Sequence, residues 1–142
     1  MNEMKLSCGF LIRDRMTKKF LGCLPTGTRK AEKDCYDIPK GCIEDEHENY
    51  LDCALRELKE ETGLVRSDLY NISRWGLLKY LKWKNLYLFY AEADIDLNKL
   101  KCSSMFVDKD GKEKPEMSSF TLGDMSIFRP KLREAISRFI KY

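Results

Sequence analysis

The sequence predicts a mixed α/β fold in which a β-sheet lies between helices. Apolar, β-prone runs that are typical of strands recur along the chain, at residues 4–13, 19–24, 72–81 and 85–94. Two other segments, from Tyr50 and from Pro130, repeat apolar side chains every three or four positions, as amphipathic helices do. Strands interleaved with two well-separated helices favour a mixed sheet with helices on its faces.

The first two strands are predicted to form a hairpin. The runs at 4–13 and 19–24 are separated by a short polar segment that can turn. A polar, loop-like stretch follows, and then the segment CYDIPKGCIEDE, in which two short strand pieces flank Pro39, Lys40 and Gly41. We expect special backbone geometry in this loop.

A helix is predicted from Tyr50 to Thr62, where the spacing of apolar residues changes to three and four. The positions that share one face are Leu51, Ala54, Leu55, Leu58 and Thr62. Asn49 is a suitable N-cap residue, with Asp52 three positions on. Gly63 stands where a helix commonly ends in a left-handed residue. The sequence therefore predicts both ends of this helix.

Two strands, 72–81 and 85–94, are predicted after the helix and are apolar enough to be central. In the second strand two sets of side chains alternate: Leu86, Leu88 and Tyr90, and Tyr87, Phe89 and Ala91. Residues 94–115 are rich in charge and contain Asp-Gly and Pro turn signals, so we expect an exposed, mobile loop there. Pro130 then suits the first turn of the C-terminal helix.

Length and composition limit the class of protein. A chain of 142 residues is the size of one domain, and we expect residues 1–142 to form one. The 26 basic and 23 acidic residues give a net charge of +3, which could help to hold a polyphosphate but is no nucleic-acid-binding signature. The cysteines form no CxxC pair, and no apolar stretch suits a membrane span or a signal peptide. We therefore expect a cytoplasmic protein.

The helix from residue 50 carries three carboxylates on one side, Glu57, Glu60 and Glu61. Such like charges repel by roughly a few tenths of a kcal/mol per pair, and near a helix C-terminus they also oppose the macrodipole. One interpretation is a solvated acidic face with Arg56 beside it. The other is a site for a hard divalent cation such as Mg²⁺, which takes carboxylate and backbone oxygens. Nitrogen and thiolate ligands do not accompany these carboxylates, which disfavours zinc.

The wider segment GCIEDEHENYLDCALRELKEETGL, residues 41–64, resembles the Nudix box, G-x5-E-x7-R-E-U-x-E-E-x-G-U, in which U is a bulky aliphatic residue. Its second half matches at every fixed position: Arg56, Glu57, Leu58, Glu60, Glu61, Gly63 and Leu64. Glu48 also has the required spacing of seven residues before the arginine. Six residues rather than five separate Gly41 from Glu48, and Lys40 stands where the family usually has a glycine. We expect the loop before the helix to differ from its relatives.

The resemblance implies a Nudix-like α/β/α sandwich and a pyrophosphohydrolase that uses Mg²⁺ or Mn²⁺, with more than one ion. Water would attack phosphorus in a diphosphate linkage. Glu60 and Glu61 correspond to the main metal ligands of the family, and Glu57 to a further ligand or to the base that orients the water. The Lys40 carbonyl corresponds to a backbone ligand.

Four further residues correspond to structural positions of the Nudix box. The resemblance implies that Arg56 and Glu48 pair and hold the loop against the helix through charge-assisted hydrogen bonds. Gly41 and Gly63 would serve backbone geometry, Gly63 by ending the helix.

Two residues downstream of the box are candidates for the site. Glu116 lies where several family members place a further glutamate, so it could be a metal ligand or the general base, or else a solvated loop residue. Tyr80 lies near the position of a tyrosine in diadenosine polyphosphate hydrolases. It could stack on a nucleobase or be an ordinary strand residue. Lys79, Lys82 and Lys84 could contact further phosphates or form a solubilising face.

The Nudix box does not indicate which substrate the protein binds. The family acts on nucleoside diphosphates linked to another group, and dinucleoside polyphosphates lead here over ADP-ribose-like compounds, nucleoside triphosphates and capped RNA. The expected partner is thus a nucleotide-type small molecule. We expect no membrane association, and binding of nucleic acid only if capped RNA is the substrate. Assembly into a homodimer is left open. The alternative is a noncatalytic, nucleotide-binding regulatory Nudix-like domain. That alternative predicts eroded box glutamates, and none is missing.

Overall fold

The computed structural model describes residues 4–28, 34–44 and 47–140. The strands are β1 (Lys5–Asp14), β2 (Phe20–Pro25), β3 (Lys40–Cys42), β4 (Leu69–Leu81), β5 (Lys84–Ala93), β6 (Met105–Val107), β7 (Glu113–Pro115) and β8 (Met117–Gly123). The helices are α1 (Tyr50–Thr62) and α2 (Pro130–Ile140), with 3₁₀ turns at Arg66–Asp68, Leu97–Lys99 and Met125–Ile127. No helix within the described ranges has the length and hydrophobicity to cross a membrane.

The main sheet is mixed, as the sequence predicts. Its strands run in the order β4, β5, β1, β2, β8, and β3 pairs with β1. β1 and β5 are parallel along their whole length, and the other pairs are antiparallel. β1 pairs with β2 at Arg13 opposite Phe20, whereas Ser7, Cys8 and Gly9 pair with β3. β3 is thereby placed beside the middle of the sheet.

Successive side chains of β1 alternate between two hydrophobic cores. Phe10 and Ile12 face the core that contains α1, and Leu11 faces the core that contains α2. The helical side chains buried in the two cores are Cys53, Ala54 and Leu58 from α1 and Leu132, Ala135 and Ile136 from α2. The two helices therefore cover opposite faces of the sheet, and the predicted sandwich is confirmed.

The two ends of α1 are those that the sequence predicts. The Asn49 side chain accepts a hydrogen bond from the backbone N–H of Asp52 at 2.8 Å, which satisfies one of the free donors at the helix start. Gly63 ends the helix with φ of 85°, and its N–H donates to the Lys59 carbonyl at 2.9 Å. A left-handed residue is needed at this point, which explains the glycine.

Residues 94–115, predicted to form an exposed loop, are mostly exposed, but the segment also contains a 3₁₀ turn and the hairpin of β6 and β7, which the sequence did not predict. Asp108 organises the hairpin turn. Its carboxylate accepts hydrogen bonds from the N–H groups of Asp110 and Lys112, each at 2.9 Å, and pairs with the Lys114 ammonium at 2.9 Å. The charges of the segment therefore build a turn rather than loosen the chain.

Candidate functional site

β3 places Lys40 and Gly41 beside α1. The N–H of Lys40 donates to Glu61 Oε1 at 3.1 Å. The N–H and C=O of one strand residue point to the same side, so the Lys40 carbonyl also points toward α1. A Cβ atom at Gly41 would clash with the carboxylate of Glu57. The glycine therefore lets the strand backbone approach this carboxylate closely.

Arg56 is the centre of a network of ion pairs. Its Nε and Nη2 atoms donate to the two carboxylate oxygens of Glu48, at 2.8 and 3.1 Å. Its Nη1 atom contacts Glu57 Oε2 at 2.6 Å and Glu60 Oε2 at 2.9 Å. The Cys42 carbonyl accepts a further hydrogen bond from Nη2 at 3.3 Å. One guanidinium thus joins the loop before α1 to two carboxylates of the helix.

The pairing of Arg56 with Glu48 favours the charged form of both groups. The hydrogen bonds from Arg56 lower the pKa of Glu48. The hydrogen bonds to Glu48 contribute most to the raised pKa of Arg56, and the hydrogen bond to Glu60 raises this pKa further, although burial opposes the rise. Both side chains are mostly shielded from solvent, with 26% of Arg56 and 15% of Glu48 exposed. The pair therefore stays ionised and fixes the loop at neutral pH.

Two of the three glutamates of α1 are buried. Glu57 is 8% exposed and Glu61 is 2% exposed. Burial, followed by repulsion from Glu60, raises the pKa of Glu57. Burial raises the pKa of Glu61 to about 9, against the opposing hydrogen bond from Lys40. Carboxylates resist burial unless a cation or hydrogen-bond donors compensate them, so this arrangement favours a bound cation.

Glu116, between β7 and β8, is linked to α1 through its backbone. Its backbone N–H donates to the Ser104 carbonyl at 2.9 Å, and its own carbonyl accepts from the N–H of Thr26 at 2.9 Å. Its negative charge adds to the effects that raise the pKa of Glu57 and Glu61, after burial and closer groups. Glu116 is thus close enough to share the electrostatic environment of the helix carboxylates.

The segment 101–104 fixes the distance between α1 and Glu116. The N–H groups of Ser103 and Ser104 both donate to the Glu60 carbonyl, at 2.7 and 3.0 Å. Because the Ser104 carbonyl also accepts from Glu116, this segment links the backbones of the two glutamates. Sequence reasoning missed both serines, since no motif or spacing distinguishes them from other loop residues.

The cluster fits a hard divalent cation. It offers the carboxylates of Glu57, Glu60, Glu61 and Glu116 and the Lys40 carbonyl, which are the oxygen ligands that Mg²⁺ and Mn²⁺ prefer. Among the described residues, no three acidic, histidine or cysteine side chains are already arranged as metal ligands. The Arg56 guanidinium lies between the first two carboxylates and acts as a stand-in cation. A metal ion would compete with this guanidinium for them.

The side chain of one predicted site residue has no described position, and the roles of all of them stay predictions. Tyr80 belongs to β4, but its side chain is outside the part that the structure describes. Every other predicted site residue lies in α1, in its end at Gly63, in the preceding strand and loop, or at Glu116.

Comparison with known proteins gives a family and a relative. Residues 8–139 match the NUDIX domain. An uncharacterized 17.7 kDa protein from the e-segB intergenic region of Enterobacteria phage T4 is 35% identical over 130 residues, which cover 86% of this chain and 85% of that protein.

Solved structures with a similar fold come from several organisms. The MutT protein from Methanosarcina mazei Go1 aligns with a TM-score of 0.65 and 18% identity, over 98% of this chain and 94% of that one. The C. elegans Ap4A hydrolase in a binary complex aligns with a TM-score of 0.62 and 15% identity, over 96% of this chain and 98% of that one. The NUDIX domain of Shewanella oneidensis NrtR complexed with ADP ribose aligns with a TM-score of 0.64 and 12% identity, over 99% of this chain and 91% of that one. At these identities the likeness shows a common fold.

Proposed function

Because this chain belongs to the Nudix family, we propose that it hydrolyses a diphosphate linkage between a nucleoside and another group with the help of Mg²⁺ or Mn²⁺. Membership makes the chain a Nudix-type pyrophosphohydrolase. We further propose that residues 1–142 act as one domain in the cytoplasm, where thiols such as those of Cys8 and Cys53 persist.

The observation that carries the proposal is that Glu57 and Glu60 meet at one guanidinium nitrogen, while the buried Glu61 accepts a hydrogen bond from the backbone of Lys40. Glu57, Glu60, Glu61 and Glu116, with the Lys40 carbonyl, would hold one or more ions. A bound divalent cation would neutralise phosphoryl oxygens and lower the pKa of a bound water. The buried carboxylates support this role, because they are costly to keep charged without a cation.

Glu57 and Glu116 are the candidates for receiving the proton of the attacking water. Burial and the charge of Glu60 bring the pKa of Glu57 upward, toward the range in which a carboxylate is an effective base at neutral pH. Ser104 links the backbone of Glu116 to the carbonyl of Glu60. Arg56 and Glu48 would position the loop rather than contact the substrate, and Gly41 and Gly63 would shape the backbone.

We propose dinucleoside polyphosphates as the first substrates to test, followed by ADP-ribose-like compounds, nucleoside triphosphates and capped RNA. The Ap4A hydrolase and the domain complexed with ADP ribose support a nucleotide ligand, because both share this fold. Tyr80 would stack on a nucleobase. Assembly into a homodimer belongs to the same proposal.

A hydrolysis screen over these four substrate classes with Mg²⁺ or Mn²⁺ tests the proposal. The variants are Glu60→Gln and the matched control Glu113→Gln, which changes an exposed glutamate in β7. We expect the wild type and the control to hydrolyse at least one class, and Glu60→Gln to lose on the order of 100-fold in rate without unfolding. A wild type that binds a nucleotide but cleaves no compound would instead support the noncatalytic alternative.

A further inference from the structure

A basic patch lies where the turn between β4 and β5 meets α2. It consists of Lys5, Lys79, Lys82, Lys84, Lys131 and Arg138. Lys84 stands beside Lys5 on the parallel strands β5 and β1. Lys131 and Arg138 come from α2 and line the same cleft as Lys79. Residues distant in sequence thus meet at one end of the sheet.

The positive charges of the basic patch are poorly balanced. Within the described residues, one ion pair involves a cation of the patch. It joins Arg138 to Glu134 at 3.8 Å, and both side chains are more than half exposed. Like charges on neighbouring strand positions destabilise a sheet. The small net charge of +3 does not reveal the basic patch, because carboxylates elsewhere in the chain offset the charges of its cations. The local charge therefore favours an anionic partner.

Four of these cations line a cleft together with the carboxylate of Glu134: Lys79, Lys82, Lys131 and Arg138. The cleft has a volume of about 430 Å³, and Leu81 and Ala135 add apolar atoms to its lining. Trp83 lies in the turn next to the cleft and is 47% exposed, and the Lys82 ammonium lies 5.6 Å from the centre of its ring. Ammonium groups beside an exposed aromatic ring are the combination that binds single-stranded nucleic acids, through phosphates and stacked bases.

We propose that this cleft binds single-stranded nucleic acid, with the phosphates on Lys79, Lys82 and Lys131 and a base stacked on Trp83. The carboxylates of α1 do not line this cleft, and the binding does not depend on the hydrolysis proposed above. An anionic lipid surface is the competing partner, because Leu81 is also exposed. The concave shape favours a chain-like anion over a flat bilayer.

Fluorescence anisotropy with labelled oligouridylate and oligothymidylate of about 12 nucleotides tests the proposal. EDTA is present throughout, so that binding is measured without hydrolysis. The test variant is Lys79→Ala/Lys82→Ala/Lys131→Ala. The charge-matched control is Lys99→Ala/Lys109→Ala/Lys112→Ala, which removes three lysines outside the patch. Far-UV circular dichroism and thermal unfolding verify that both variants fold.

We expect the wild type and the control to bind with similar affinity. The patch variant should bind on the order of 10- to 100-fold more weakly near 0.1 M salt, with a salt dependence shallower by about 2 in the log–log slope. Trp83→Ala should cost about five-fold or more and Trp83→Phe less, because phenylalanine retains a stacking face. Binding to only one of the two oligonucleotides also supports the site, because the two differ only in the 2′-hydroxyl group and the 5-methyl group of the base and share the phosphates and the stacking face.

Two results would overturn the proposal. The wild type could fail to bind either oligonucleotide, or the two triple variants could lose affinity equally. If the wild type binds no oligonucleotide but sediments with vesicles of phosphatidylserine and phosphatidylcholine in equal amounts, the patch is assigned to a lipid surface.

Discussion

Replacing Arg56 by methionine removes the cation that holds the loop before α1 against the helix. Arg56 donates two hydrogen bonds to Glu48 and one each to Glu57 and Glu60, at 2.6 to 3.1 Å. Glu48 and Glu57 are largely shielded, with 15% and 10% of their side chains exposed. Breaking a fully buried ion pair costs about 3–5 kcal/mol, and the partial exposure of Arg56 moves the expectation to about 3 kcal/mol.

Urea unfolding in EDTA measures this free energy of unfolding without a contribution from metal. The double variant Arg56→Met/Glu48→Gln tests the cause. Because Glu48 is left unpaired only in the single arginine variant, we expect the double variant to be about as stable as Arg56→Met alone, with a coupling energy of about 1–2 kcal/mol. A loss below about 1 kcal/mol for Arg56→Met, or additive effects of the two substitutions, would refute this reasoning.

Two further predictions concern the backbone of the site and the acid stability of the fold. Gly41→Ala places a methyl group against the Glu57 carboxylate, so Mn²⁺ titration should show at least about 10-fold weaker binding, while a variant with unchanged affinity would contradict this. Burial opposes ionisation of Asp14, but hydrogen bonds from Ile95 and Thr17 outweigh it and lower its pKa. Asp14 therefore stabilises the fold above its unfolded pKa, and this stabilisation is lost as the pH falls through the lowered value. Asp14→Asn should cost about 2 kcal/mol at pH 7 by urea unfolding, and the difference from wild type should shrink in acid; a difference that is independent of pH would count against the argument.

Local features of the sequence predicted α1 well, because the information that forms it lies within it. The apolar spacing, the Asn49 cap and the glycine stop are all read from neighbouring residues. The β6–β7 hairpin was missed because its strands have three residues each and its turn depends on the hydrogen bonds of Asp108. A run of charged residues in the sequence does not predict such hydrogen bonds.

The carboxylates of the site were named from the sequence, but their environment was not. Acidic residues are rarely buried, so nothing in the helical pattern foretold that Glu61 would be 2% exposed. Glu61 accepts a hydrogen bond from Lys40 of β3, a strand whose pairing with β1 joins residues more than thirty positions apart. The position of Glu116 likewise depends on the contact of Ser104 with α1, which forms only in the folded chain.

The central claim is that the α1 carboxylates hold a divalent cation, and calorimetric titration of Mn²⁺ into wild type, Glu61→Gln and Glu113→Gln tests it most directly. Glutamine keeps the shape of the Glu61 side chain and an oxygen for the Lys40 N–H, so the fold should persist. We predict that the wild type and Glu113→Gln bind Mn²⁺ equally and that Glu61→Gln binds at least about 10-fold more weakly. Equal Mn²⁺ affinity in all three proteins, or no binding to the wild type, would contradict the account.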